Sequence, residues 1–298
     1  MTDHLVRGLV SGHGLSVIFA RVTHTARMAR VLHGCYPTSA YLLAQGLAAG
    51  ALLGALLDPE GGAEKGRVNL RIECDGPFGG LLVDSDPDGN VRASVRRPEV
   101  NFLGDPAEGA RAALGGSGYL SVIRDFGGGN VHRGAVKLQS FELAEDLRRY
   151  FSESEQVATA LDVQVVSRPD DPIAEAAGIL LQKLPSGDVR ALEAARERLA
   201  AGAFRAMLGN ERPAQEIIRE VAGEELELLA DLEIAYRCGC SMARARAAVS
   251  ALGLRGIEDV LAKEKQAVVT CEFCRERYVV PEAELRDMAR RLAEQAGE

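Results

Sequence analysis

Cys238-Gly239-Cys240 and Cys271-Glu272-Phe273-Cys274 place four thiols in two close pairs with thirty residues between them. Each pair can bring two sulfurs to one metal through a tight turn, and two such turns complete a tetrahedron of thiolates. The expected chemistry is a zinc ion, one per chain, held by Cys238, Cys240, Cys271 and Cys274. Two other readings compete for the same residues. A C-x-x-C can be a thioredoxin-like active site, but that needs a helix directly after the first cysteine. Here Arg275-Glu276-Arg277-Tyr278-Val279-Val280 follows, which has the texture of a strand. A zinc ribbon can also bind nucleic acid. Residues 238–298 hold ten Lys or Arg against ten Asp or Glu, and a Zn²⁺ with four thiolates adds two negative charges, so no basic surface results.

The first pair is the unusual one. C-x-C sets two sulfurs one residue apart, a tighter geometry than the C-x-x-C knuckle of most ribbons. A disulfide closing it would be strained and readily exchanged. Such a site suits conversion between zinc thiolate and disulfide better than architecture alone. Cys35 and Cys74 have no close partner in the sequence and read as inert thiols. The remaining candidates are weaker. Asp84-Ser85-Asp86-Pro87-Asp88-Gly89 matches half a calcium loop, but Val95 stands where a bidentate Glu is needed. Ser117 lacks a nucleophile-elbow frame, and Gly127-Gly128-Gly129 lacks the Lys of a phosphate loop. His4, His13, His24, His33 and His132 show no ligand spacing. No paired catalytic acid and base emerges, so an enzyme is not expected.

Composition bounds what can surround the cysteines. The 298 residues are 47% hydrophobic and 26% charged, which excludes disorder along the whole length. The formal net charge of -8 places a bulk nucleic-acid binder at a disadvantage, and the absence of Trp leaves base stacking poorly supplied. Six cysteines are too few for a secreted disulfide scaffold. The first residues lack a basic start followed by an apolar run, so no signal peptide is visible and the cytoplasm is the expected compartment. Residues 40–57 run eighteen positions without a charge, with Gly46, Gly50 and Gly54 four apart. A membrane helix and a buried core helix both fit. Gln45 inside the run and the lack of flanking Lys or Arg favour the buried helix, with Thr38 or Ser39 capping its start and no membrane partner.

The elements expected to carry the site fall into an α+β arrangement of three parts. Residues 1–187 read as a mixed sheet-and-helix core domain. An opening strand pair spans 5–22. Residues 66–138 read as β throughout, with hairpins turning at Asp86–Asn90 and Gly127–Asn130. A helix from Ser140 to about Ser154 and strands over 158–166 and around Ile179–Leu181 complete this part. Residues 188–237 carry seven Arg, no Lys and eleven Asp or Glu. Ile217, Ile218, Val221, Leu226 and Leu229 recur at helical spacing. This is a charged helical linker with a thin apolar stripe, able to melt if its docking partner is lost. Leu at Ala214 and Ala222 should thicken that stripe. Residues 238–298 are a small four-cysteine zinc domain.

Cys238-Gly-Cys-Ser-Met-Ala-Arg244, the Leu252-Gly253 step and Cys271-Glu-Phe-Cys-Arg-Glu-Arg-Tyr278 resemble the heat-shock protein 33 family. Ser154-Glu155-Gln156, Ala177–Pro185 and the hairpin around Gly76-Pro77-Phe78-Gly79 resemble it as well, so the likeness covers essentially the whole chain. The resemblance implies a redox-regulated holdase chaperone that answers oxidative stress. It implies an inactive, zinc-bound reduced form. Oxidation would form redox-active Cys238–Cys240 and Cys271–Cys274 disulfides and release the metal. The linker would then unfold, unfolded client proteins would bind, and the activated form would be a homodimer. The different-class alternatives are a zinc-ribbon adaptor with a purely structural metal and a thiol-disulfide oxidoreductase.

Overall fold

The computed structural model describes residues 2–10, 12–57 and 66–296. Asp58 and Glu60, which close the uncharged run in the sequence, lie outside them. The chain divides into two compact units, Met1–Arg237 and Cys238–Glu298.

In the first unit, β1 (His4–Val10) and β2 (Leu15–Arg21) form the expected opening pair, followed by α1 (Thr23–His33) and α2 (Pro37–Gly54). Next come β3 (Arg67–Cys74), β4 (Gly80–Ser85) and β5 (Asn90–Val95), then α3 (Pro106–Leu114), β6 (Gly118–Asp125) and β7 (Val131–Lys137). α4 (Leu143–Tyr150) widens into a π-turn over Phe151–Glu155 before β8 (Thr159–Val166) and β9 (Glu175–Lys183). The unit ends with α5 (Val189–Ala200), α6 (Ala203–Met207), α7 (Ala214–Ala222), β10 (Glu227–Glu233) and β11 (Ala235–Tyr236). The strands make two sheets, a five-stranded one in the order β10-β1-β2-β9-β8 and a six-stranded one in the order β11-β5-β4-β3-β6-β7.

α2 is the uncharged run, and it is buried between the sheets. A Cβ on Gly46 would meet Leu81 of β4, and one on Gly50 would meet Val83 at 2.5 Å, so the glycines are what let α2 lie against β4. On the other side Leu52 and Ala48 fill the space beside Gly178 of β9. Among the described residues no helix is long and apolar enough to cross a membrane. Thr38 and Ser39 do not cap α2. Pro37 takes the first helical position, where no N–H is missed, which frees both hydroxyls. Thr38 accepts the Phe102 N–H at 2.8 Å and Ser39 donates to the Val100 carbonyl at 3.1 Å.

Three expectations need correction. The β reading of 66–138 missed α3, although Asp105-Pro106 is a helix start: the Asp105 side chain accepts the Ala107 and Glu108 N–H groups. The helix expected from Ser140 begins at Leu143. The buried Asp146 carboxylate gathers the N–H groups of Gln139, Ser140 and Phe141, which turns that stretch into a loop. Residues 188–237 are helical only as far as Ala222. Gly223, at φ 84°, ends α7, and β10 then adds to the edge of β1, whose backbone groups outweigh helical propensity there.

The five-stranded sheet separates two apolar cores. One face packs on α2 with Leu5, Ile18, Leu161 and Leu180. The other carries Val6, Val10, Leu15, Val17, Phe19, Ile179 and Leu181, and α5, α6 and α7 cover it with Leu192, Leu199, Phe204, Ile217, Ile218 and Val221. The stripe is therefore fuller than the sequence spacing suggested, while Leu229 lies out in solvent. Ala214 and Ala222 are themselves buried in this core, which leaves no room for Leu. Beneath the loop between α6 and α7 lies a buried ion pair. Arg21 Nε reaches Glu175 Oε1 at 3.0 Å, both side chains being 1% exposed. Arg21 also donates to the Arg212 carbonyl at 2.6 Å, and the Glu175 carboxylate accepts the Gly209 N–H at 2.5 Å and the Glu211 N–H at 3.4 Å.

Candidate metal centre

The second unit begins at the first cysteine. Ser241, directly after Cys240, caps α8 (Met242–Ser250) by accepting the Arg244 N–H. α9 (Gly253–Lys263) follows, then an antiparallel hairpin of β12 (Gln266–Thr270) and β13 (Arg277–Pro281), and α10 (Glu282–Ala296). Among the described residues its buried cluster is small, Val249, Ile257, Ala267, Val280 and Leu285, with half-buried side chains such as Met242, Leu261 and Met288 packed against it. A core that small leaves much of the folding to something else.

Cys271 and Cys274 sit in the turn of the hairpin. The Cys271 N–H donates to the Glu276 carbonyl at 2.8 Å and the Arg275 N–H to the Cys271 carbonyl at 2.9 Å, with Arg275 held at φ 62°. The pair thus sits in a knuckle between two strands, and β13 is the strand that the texture of Arg275–Val280 pointed to. The Sγ atoms of Cys238, Cys240, Cys271 and Cys274 all lie within 4.8 Å of one another. The short contacts run between the pairs: Cys238 to Cys271 at 3.6 Å and Cys240 to Cys274 at 3.3 Å.

Burial, then the neighbouring sulfurs, push the Cys274 thiol up to about 12, although the Glu276 backbone pulls it down. A divalent cation reverses that balance by favouring thiolate. A tetrahedral Zn–S distance of about 2.3 Å requires sulfurs about 3.8 Å apart, a spacing that the observed separations bracket. The residues fit zinc. Tyr278 was not singled out as functional from the sequence. Its hydroxyl donates to Cys240 Sγ at 3.1 Å, and that contact with burial raises the phenol pKa. A donor on a ligating sulfur orients it and spreads its charge.

A family model described as Hsp33 protein matches residues 3–281. The chain belongs to the Hsp33 family. Curated relatives named 33 kDa chaperonin agree. The one from Pelobacter propionicus is 35% identical and the one from Bacillus subtilis 32%, covering 97% and 95% of this chain and 94% and 97% of their own. The crystal structure of an Hsp33 homologue from Thermotoga maritima superposes with a TM-score of 0.86 at 27% identity, covering 99% of this chain and all of its own. The mixed α+β architecture expected from the sequence is thus the Hsp33 fold.

Within this Hsp33 chain the other candidate residues go elsewhere. Among the described residues no further group of three or more His, Cys, Asp or Glu converges for a metal. Asp86 accepts the Asp88 and Asn90 N–H groups of its own turn, and Asp84 pairs with Arg92 at 2.6 Å, so the half calcium loop is a hairpin device. His33 is buried beside the Tyr236 hydroxyl at 3.4 Å. Cys35 is buried away from solvent, and burial pushes the half-buried Cys74 thiol up, so neither has the setting of a reactive thiol.

Proposed function

We propose that this Hsp33 family member is a redox-regulated holdase chaperone of the cytoplasm. It binds unfolding proteins without catalysing a reaction, and the four-cysteine centre is its switch. Residues 1–187 form the client-binding core, 188–237 the linker and 238–298 the switch domain. One observation carries the reading: the segment whose helices α5, α6 and α7 cover the apolar sheet face continues through β10 and β11 directly into Cys238.

Bound zinc would keep Cys238, Cys240, Cys271 and Cys274 as thiolates and tie both knuckles to one point. Such ties are worth about 10–16 kcal/mol in zinc-finger peptides. So small a core therefore depends on them. Peroxide would oxidise each thiolate pair to a disulfide, taking two electrons per bond and, with two protons from solvent, leaving as two waters. With both bonds formed, Cys238–Cys240 and Cys271–Cys274, no thiolate remains to hold a metal. The switch domain then unfolds and the linker loses an anchor. Val10, Leu15, Val17, Phe19, Ile179 and Leu181 become available to unfolded clients, and activated chains pair as homodimers.

The deciding experiment follows zinc content and free thiols beside suppression of client aggregation, before and after peroxide with mild heat. One zinc and four protected thiols should be lost together as suppression begins. Suppression that is equal before and after, with zinc retained, would leave a purely structural metal. Turnover of dithiol substrates would instead mark an oxidoreductase.

A further inference from the structure

The linker does more than cover one face of the five-stranded sheet; β10, within it, is a strand of that sheet. β10 occupies the edge position, antiparallel to β1 from His4 opposite Glu233 to Leu9 opposite Glu227, with an irregularity between Arg7 and Gly8. It is a poorly buried strand. Glu227, Asp231 and Glu233 give it charge, and Leu228 and Leu229 are 49% and 61% exposed. Apart from Leu232, which packs on the core around α2, its hold on β1 is the backbone ladder. Once β10 leaves, β1 presents a row of unpaired N–H and C=O groups. That row lies at the rim of the apolar face to which β1 itself contributes Val6 and Val10.

The opposite edge is different. β8 is blunted largely by groups outside the linker, although Arg196 of α5 also donates to its Thr159 carbonyl at 3.2 Å. Arg148 of α4 donates to the Leu161 carbonyl at 2.8 Å, and the Asp162 carboxylate accepts the Val163 N–H at 2.8 Å. These caps stay in place when residues 188–237 depart. Of the two edges, only β1 is opened along its length.

We propose that the activated protein captures clients by strand replacement: an extended segment of an unfolded polypeptide pairs with β1 in the place of β10. The segment that fits is extended, free of proline, and alternates apolar side chains with others, so that one set rests beside Val6 and Val10 while the backbone completes the ladder. Gly8 marks where the incoming backbone comes nearest. A Cβ there would stand 2.5 Å from both the Glu227 carbonyl oxygen and Leu226 Cδ1. The inference rests on linker release as the activating step, and it names the surface and backbone chemistry of capture.

The test uses the full-length protein, reduced and zinc-loaded or oxidised with peroxide under mild heat, with reduced carboxymethylated α-lactalbumin as the client. Amide exchange over 3–10 should quicken at least tenfold on oxidation and return toward the reduced-state rate when client binds. Residues 159–166 should not respond to the client. Client captured while 3–10 still exchanges fast overturns strand replacement and leaves the chaperone reading intact. Absence of capture overturns both. Protection of 3–10 that grows with protein concentration without client would mean that a second copy fills the edge, which also overturns the proposal. Gly8→Val separates the edge from the apolar face. Reduced and zinc-loaded, it should speed exchange of 227–233 at least tenfold, because the new side chain displaces β10. Oxidised, it should hold several-fold less client than the parent, despite the freer linker, because the same side chain obstructs the client backbone. Capture equal to the parent's would overturn the proposal.

Discussion

Glu175→Ala is the sharpest probe of what holds the linker down. The Glu175 carboxylate meets Arg21 from within the sheet and accepts two N–H groups, of Gly209 and Glu211, from the loop above it. Removing it leaves the Arg21 guanidinium buried without its counter-charge and two loop N–H groups without an acceptor. Breaking a buried pair by deleting one partner costs about 3–5 kcal/mol, since a charge stays desolvated. The cost falls on the docked state, because lifting the 208–213 loop lets water reach Arg21. At 1.4 kcal/mol per factor of ten, about 3 kcal/mol raises the undocked population by about two powers of ten. The assay is amide exchange over 208–222 in reduced, zinc-loaded protein, read beside aggregation suppression under reducing conditions. Glu175→Gln, which keeps an acceptor but loses the charge, should fall between. If exchange over 208–222 matched the parent while the melting temperature alone fell, the pair would serve the sheet and not linker docking.

Cys271→Ser should weaken zinc binding by orders of magnitude, measured by competition with a chromogenic chelator, because a hydroxyl replaces one of four thiolates. Tyr278→Phe keeps all four ligands and should lower zinc affinity about tenfold in the same assay, the usual scale for losing a partner of a metal ligand. Cys35→Ser with Cys74→Ser should leave peroxide activation intact, followed by aggregation suppression, since neither thiol joins the cluster. Ala214→Leu with Ala222→Leu should activate at a lower temperature than the parent, because overpacking a full core costs about 1–3 kcal/mol.

The metal centre was legible because the chemistry lies in residue type and spacing: two close pairs of cysteines need nothing from the rest of the fold to be noticed. Both hairpins were legible for a similar reason, since Asp86–Asn90 and Gly127–Asn130 are local turn signals between alternating runs. What stayed hidden depends on distant partners. β10 reads as charged helix until β1 offers it an edge. Tyr278 carries no mark of its role until the hairpin brings its hydroxyl to Cys240. Arg21 and Glu175 are 154 residues apart and ordinary in their surroundings, and only the pairing of β2 with β9 brings them together. α3 is the exception, for Asp105-Pro106 is a local start signal overridden by the β texture on either side.

The five-stranded sheet, with one apolar core on each face, acts as a bulkhead. Flooding the compartment under α5, α6 and α7 leaves most of the compartment around α2 covered, because, of the linker, only Leu232, Ile234 and Tyr236 reach into it. The chain can therefore pass through many rounds of opening without risking its own collapse, and the intact side remains a template for closing. The helices that must re-form are short and local in sequence, a class of structure that folds in about microseconds. On the proposed switch, the duration of an active episode would be set by how fast the cysteines are re-reduced, which would make the protein a timer wound by its redox surroundings.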